Sequence, residues 1–187
     1  RWPSKLRKNR RRHMRRLQDQ GPVVITHNQR GEAAAATVRT GIDLKRIWLA
    51  KKELLSRAFA DTRFDGFMLD AATSSTHPTG AFVSSLTSNG TIGNVVIAFD
   101  FEGRRAMHMI AYNMDLETFS AGTLHIEDCI RDAFSAGIRV LDFLGPKVKY
   151  KMDWCDRSVE MLEFQHALSL KGRVYGMGCR MPGCTPG

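Results

Sequence analysis

Apolar positions follow two rhythms along the 187-residue chain. From Glu32 to about Phe59 they keep helical spacing: Ala33 to Ala36, then Leu44, Ile47, Trp48, Leu54, Leu55 and Ala58. Gly41 is expected to break that run into two helices. Residues 63–72 carry Phe64, Phe67, Met68 and Ala71 at the same spacing and read as a further helix. Val23 to Thr26 reads as a short strand, and residues 76–80, "THPTG", as a turn. The period then changes. Residues 81–87, 93–101 and 105–113 are strand-like, and Asn89-Gly90 and Glu102-Gly103 between them are tight-turn signals, which predicts an antiparallel meander. Residues 122–136 return to helix, with Leu124, Ile126, Ile130 and Phe134 as the buried face and Gly137 as the stop. A strand over 139–144 follows. Near the end, Leu162, Phe164, Leu168 and Leu170 alternate with polar residues, which supports a long strand with one wet face and leaves a helix open.

Composition adds less than charge does. With 43% hydrophobic and 25% charged residues the chain reads as soluble and globular, large enough for one full domain or a domain plus an appendage. No apolar run approaches the ~20 residues that span a bilayer. No signal peptide is visible, and the missing initial methionine suggests a piece of a longer protein. The net charge of +9 is concentrated: residues 1–16 hold nine Lys/Arg and no acid, and the other 19 basic residues balance the 19 acids. This stretch predicts a helix opened by Ser4, ended at Gly21-Pro22 and docked by a thin stripe of Leu6, His13, Met14 and Leu17. It reads either as a patch for nucleic acid or acidic lipid, or as a solvated docked helix. Without aromatic residues interleaved among the basic ones to stack on bases, the second reading is preferred.

The four cysteines are scattered and read as reduced thiols. The one close pair, Cys179 and Cys184, lacks the partners a zinc site needs, so no metal is expected. More chemistry lies near residue 120. In Phe119-Ser120-Ala121-Gly122-Thr123, small residues let the backbone approach a ligand, and the first N–H groups of the following helix form an anion site. Alternatively, Ser120 simply caps that helix. Asp142 sits in the apolar run Val140-Leu141-Asp142-Phe143-Leu144, where an unpaired carboxylate is costly. It either handles an acceptor or braces a loop, with Lys151 as one partner. Just beyond lies the basic and aromatic cluster "KVKYKMDW".

The stretch "YNMDLETFSAGTLHIEDCIRDAFSAGIRVLDFLGPKVKYKMDW" resembles the GNAT acyltransferase superfamily, and within it the cellulose-biosynthesis CelD-like branch. The residues that carry the likeness are Tyr112 and Asp115, Ser120-x-Gly122-x-Leu124, Gly137, Asp142-Phe143 with Gly145, and Tyr150-Lys151 with Trp154. The opening "SKLRKNRRRHMRRL" is similar to the segment that precedes this domain in the branch. Two departures stand out. Ala121 replaces a usual Pro, which leaves backbone phosphate binding intact. Pro146-Lys147-Val148-Lys149 replaces frequent acids, which bears on acceptor preference or phosphate contacts.

The resemblance implies an α+β fold, a central mixed, mostly antiparallel sheet flanked by helices. Acetyl-CoA or another acyl-CoA would lie in an opening between the strands at 106–112 and 139–144. Its pantetheine arm would pair with Met109, Ile110 and Ala111. Its pyrophosphate would rest on Ser120, Ala121, Gly122, Thr123 and Leu124, with Lys151 as a phosphate or acceptor contact unless that lysine is only solvated. Asp142 and Tyr150 are the catalytic candidates, the tyrosine as the acid for the leaving thiolate or else a packing aromatic. His108 and Tyr112, on one strand face, would contact the acceptor. The implied activity is acyl transfer to an amine, on a small molecule or a glycan, with a link to polysaccharide or cell-envelope biosynthesis and a cytoplasmic setting. The expected organisation is a basic helix (1–21), the acyltransferase domain (22–178) and a tail (179–187), with an N-terminal GNAT-like half absent. Two alternatives stay open: a Fem-like transferase using aminoacyl-tRNA, and a non-catalytic scaffold.

Overall fold

The computed structural model describes residues 4–74, 80–162, 166 and 168–171. The chain divides into two compact units, Arg1–Pro146 and Lys147–Gly187. The first is organised by five strands, β1 (Val23–Thr26), β2 (Gly80–Ser88), β3 (Thr91–Phe101), β4 (Arg104–Tyr112) and β5 (Val140–Asp142), lying side by side in that order. The first three pairings are antiparallel and β4–β5 is parallel. A parallel pair needs a crossover. Here it is a 3-10 helix, Met114–Phe119, followed by the helix Ala121–Ser135. The result is the mixed, mostly antiparallel sheet flanked by helices that the resemblance implied. Both hairpin turns take left-handed backbone at each central residue, with φ of 49° and 76° at Asn89-Gly90 and 48° and 77° at Glu102-Gly103. Such turns match the twist of the strands they join.

β2 and β3 are buried along most of their length because both sheet faces are covered. In chain order the helices are α1 (Ser4–Gln18), α2 (Gly31–Lys51), α3 (Arg57–Ala60), α4 (Thr62–Ser74) and α5, the crossover helix. Ala34, Val38 and Ile42 of α2 and Met68 and Ala72 of α4 pack on Val83, Val95, Ile97 and Met109 of one face. On the other face, Leu17 of α1 meets Leu86 and the first turn of α5 at Ala121 and Leu124. The basic helix is thus docked by Met14 and Leu17, and Arg10 pairs with Glu127 at 2.8 Å. Arg7, Lys8, Arg11, Arg12 and Arg15 face outward. The second unit contains α6 (Lys149–Met152).

Five expectations are corrected. Gly41 does not break a helix: α2 runs through it, and the residue is buried against Val95. The helical run to about Phe59 is instead interrupted after Lys51, where Glu53 adopts φ 55° and Leu54 and Leu55 are exposed, and resumes as the short α3 at Arg57. Phe67 and Phe134 are exposed, because the buried faces of their helices centre on Met68 and Ala72 and on His125, Cys129 and Ala133. The strand expected over 139–144 covers only Val140–Asp142, ending before the left-handed Leu144. Near the end no strand forms among the described residues: 162, 166 and 168–171 are coil, bend or, at Leu170 and Lys171, helix, and 163–165 and 167 lie outside them. The turn at 76–79, the Leu6 side chain and the Cys179/Cys184 pair lie outside the described residues.

Candidate functional site

The site grows from one strand that loses its neighbour. β5 pairs with β4 only at Arg104↔Val140, Arg105↔Leu141 and Ala106↔Asp142. From Met107 to Tyr112 the outer edge of β4 has no strand partner among the described residues. Two features make the strands part there. First, β4 carries a bulge: Met107 pairs with Ala98 and Met109 with Ile97, leaving His108 as the extra residue, which bends the strand. Second, β5 is held in a turn. Asp142 accepts the Leu144 backbone N–H at 2.8 Å and the Arg104 guanidinium at 2.9 Å.

The base of β4 is clamped. Arg105, 1% exposed, donates to both oxygens of Asp100 at 2.8 Å and to Asp132 of α5 at 2.7 Å, and its guanidinium lies 3.5 Å from the centre of the Phe82 ring. Burial opposes its charge, but the hydrogen bonds to Asp100 and Asp132 outweigh it and raise the pKa. β3, β4 and α5 are therefore locked together below the point where the edge opens.

At the other end of β4, Asn113 accepts the Asp115 N–H at 3.0 Å and starts the 3-10 helix. Ser120 then takes a left-handed conformation (φ 58°, ψ 34°) and swings the chain into α5. The Ser120 hydroxyl makes no capping bond, and no acid occupies the first turn. The helix thus opens with N–H groups that no intrahelical carbonyl takes and a dipole that no first-turn acid offsets. Serine as a simple cap is not what the structure has. A Cβ placed on Gly122 would lie 3.9 Å from Tyr112 Cβ, so the N-terminus of α5 adjoins the end of the open edge.

These elements gather several of the expected residues, and two others belong to the second unit. Met109 and Ala111 bury their side chains in the core, so what remains available is backbone; Ile110 is half-buried. The Tyr112 hydroxyl accepts from Trp48 Nε1 of α2 at 3.1 Å. His108 is open on one side and flanked by the rings of Phe99 (5.5 Å) and Phe64 (6.2 Å), and this partial burial lowers its pKa. Asp142 has both oxygens engaged by Arg104 and Leu144. Tyr150 and Lys151 belong to the second unit, on α6, where burial pushes the Tyr150 phenol up.

Periodicity did not reveal a buried polar cluster between β1, β2 and α5. Ser84 Oγ lies 2.8 Å from His27 Nδ1 and 2.7 Å from His125 Nε2, and His27 Nε2 lies 2.9 Å from Asp128. Burial, with His27 nearby, pushes His125 down to about 3, and burial pushes the Cys129 thiol up to about 12. Both are uncharged at neutral pH, and Cys129 is no nucleophile. His27, His125 and Cys129 hold their donor atoms within 4.8 Å of one another. Ser84 Oγ stands among them and takes up the two imidazoles as hydrogen-bond partners. The available signal was His125 and Cys129 four apart on a buried helix face.

Compared with known proteins, residues 4–152 match the acetyltransferase (GNAT) domain family. No curated protein is significantly similar in sequence. Among solved structures, the chain resembles an aminoglycoside acetyltransferase, meta-AAC0020, from an uncultured soil metagenomic sample, in complex with sisomicin. The TM-score is 0.53 at 13% identity, covering 79% of this chain and 97% of that one. It also resembles a ribosomal-protein-alanine N-acetyltransferase from Brucella melitensis biovar Abortus 2308, with TM-score 0.50 and 14% identity over 77% of this chain and 100% of that one. At such identities the likeness is one of fold.

Proposed function

Since the chain belongs to the acetyltransferase (GNAT) domain family, we propose that it is an acyl-CoA-dependent N-acyltransferase, acetyl-CoA being the first donor to test. The observation that carries this reading is the open edge of β4 ending beside an α5 N-terminus with no capping side chain and no acid in its first turn. That pairing suits an acyl-CoA: backbone groups at Met109–Ala111 for an amide-bearing arm, and the N–H groups of residues 121–123 for a diphosphate. The donor supplies a thioester carbonyl, onto which a neutral amine adds with loss of the thiol. Positioning the two reactants supplies most of the rate. His108, kept neutral by its lowered pKa, is suited to accept the amine proton, and Tyr150 is the candidate acid for the departing thiolate. Asp142 acts by geometry, holding β5 in its turn through Arg104 and Leu144. The motif residues from Tyr112 to Trp154 support the CelD-like branch and hence an amine on a glycan or envelope precursor as acceptor.

Isothermal calorimetry with acetyl-CoA and octanoyl-CoA tests the reading. Saturable binding of either is expected, and no heat at millimolar concentration of both overturns it. One observation favours a second reading, aminoacyl-tRNA as donor: the outward face of α1 presents Arg7, Lys8, Arg11, Arg12 and Arg15. In that case tRNA displaces CoA, with a steep salt dependence.

A further inference from the structure

Asn94 sits in the apolar run of β3, directly before Val95 and Val96, and is 0% exposed. Neither its Nδ2 nor its Oδ1 has a hydrogen-bond partner among the described residues. Of the other buried polar side chains, His125 leaves only Nδ1 unpartnered among the described residues while its Nε2 is engaged, and others are fully met. Ser84 meets two imidazoles, and Arg105 meets two carboxylates. A carboxamide has two donors and two acceptor sites, and leaving such a group unsatisfied in a core costs about 1–3 kcal/mol. Such groups are rare enough in folded proteins that each calls for a reason.

Location supplies that reason. Asn94 pairs in register with Tyr112, the last residue of β4. The register shift between β2 and β3 falls immediately before it, at Gly93. A methyl placed on Gly122 would lie 3.9 Å from Nδ2 and 3.9 Å from Oδ1 of Asn94, and 3.9 Å from Tyr112 Cβ. The carboxamide thus faces the junction of the open β4 edge and the first turn of α5, and glycine at 122 leaves no side chain between them. A leucine would fill this position without the polar penalty.

We infer that Asn94 is a ligand-positioning residue of the acyl-donor cleft, whose Nδ2–H groups donate to an oxygen of the donor entering between Tyr112 and Gly122. This rests on the acyl-CoA reading above. The oxygen belongs either to an amide of the pantetheine arm or to the diphosphate, both being acceptors of the same kind.

The test uses the full chain with Asn94→Leu and Asn94→Asp, each assayed by thermal melting without ligand and by calorimetry with acetyl-CoA and with S-acetylpantetheine. Without ligand, Asn94→Leu is expected to melt at or above the wild-type temperature, since it removes an unsatisfied buried amide. Its affinity for acetyl-CoA is expected to fall at least about tenfold, the equivalent of ~1.4 kcal/mol. Asn94→Asp, of the same size but without the donor, loses a similar factor. A parallel loss for S-acetylpantetheine assigns the oxygen to the arm; a loss confined to acetyl-CoA assigns it to the diphosphate. Wild-type binding with an unchanged Asn94→Leu affinity overturns the inference and leaves the functional reading standing. So does an Asn94→Leu melting temperature well below wild type, which would make Asn94 a structural contact. A wild-type chain that binds no acyl-CoA overturns both.

Discussion

Replacing Gly41 with alanine is expected to destabilise the fold by about 1 kcal/mol, although alanine is the better helix former. The two effects can be set against each other. Alanine in a helix interior gains about 1 kcal/mol over glycine. Against this, the new methyl would lie 2.9 Å from Val95 Cγ1, 3.3 Å from Val95 Cβ and 3.1 Å from Met109 Cε. The Met109 terminus can rotate away. Val95 cannot: it is β-branched, 0% exposed and fixed in a strand covered on both faces. Either α2 backs off the sheet or the valine leaves its rotamer, and overpacking of this kind costs about 1–3 kcal/mol. The difference is a net loss of about 0–2 kcal/mol.

Urea denaturation followed by circular dichroism on wild type, Gly41→Ala, Val95→Ala and the double variant checks this directly. The double variant should retain more stability than the two single losses predict, with a coupling of about 1 kcal/mol or more. In a chain of this size each 1 kcal/mol is about 2–4 °C of melting temperature, so a scan should agree in sign. A Gly41→Ala midpoint at or above wild type, with additive double-variant losses, would refute the argument. It would mean that the helix yields freely and that the close approach to Val95 is not a constraint.

Three further outcomes are expected. Arg105→Met leaves Asp100 and Asp132 without their shared cation, and breaking a buried pair from one side costs about 3–5 kcal/mol; a urea-derived loss under about 1 kcal/mol would show that the clamp is dispensable. His125, neutral in the fold with its pKa pushed down to about 3, makes stability pH-dependent. Its contribution is complete above the unfolded value near 6.5 and is lost as pH falls toward the folded one, by up to about 1.4 kcal/mol per pH unit. The urea midpoint should therefore drop from pH 7 to pH 5 in wild type and drop less in His125→Gln; parallel curves would exclude His125 as the cause. At Gly122, alanine places its methyl 3.9 Å from Asn94 and Tyr112, in the gap where the donor oxygen is proposed to enter, and should weaken acetyl-CoA affinity at least about threefold. Valine, pressing further on Asn94 and Tyr112, should weaken it at least about tenfold by calorimetry, and wild-type affinity in both variants would place the ligand elsewhere.

What the sequence revealed divides along a physical line. The open β4 edge and the exposed α5 N-terminus are made of backbone and depend on the order of elements. Three strands, a short loop, a helix and a further strand were legible from hydrophobic period and turn residues. Arrangements of side chains from distant elements were not. Ser84 meets His27 across 57 residues and His125 across 41, and no local period records that meeting. Gly41 shows the same limit in one residue: glycine marks both a break and a close approach, and only its placement against Val95 decides between them. Asp142 was conspicuous in its strand, yet its partners, Arg104 and the Leu144 N–H, make it a brace for the turn. The more telling polar residue lay in the longest apolar strand. Asn94 is a carboxamide where leucine or valine would fold better, and it faces the stretch of β4 edge that β5 leaves open among the described residues. An isolated polar residue inside an apolar run identifies a site when its partner is missing, and a brace when its partner is present.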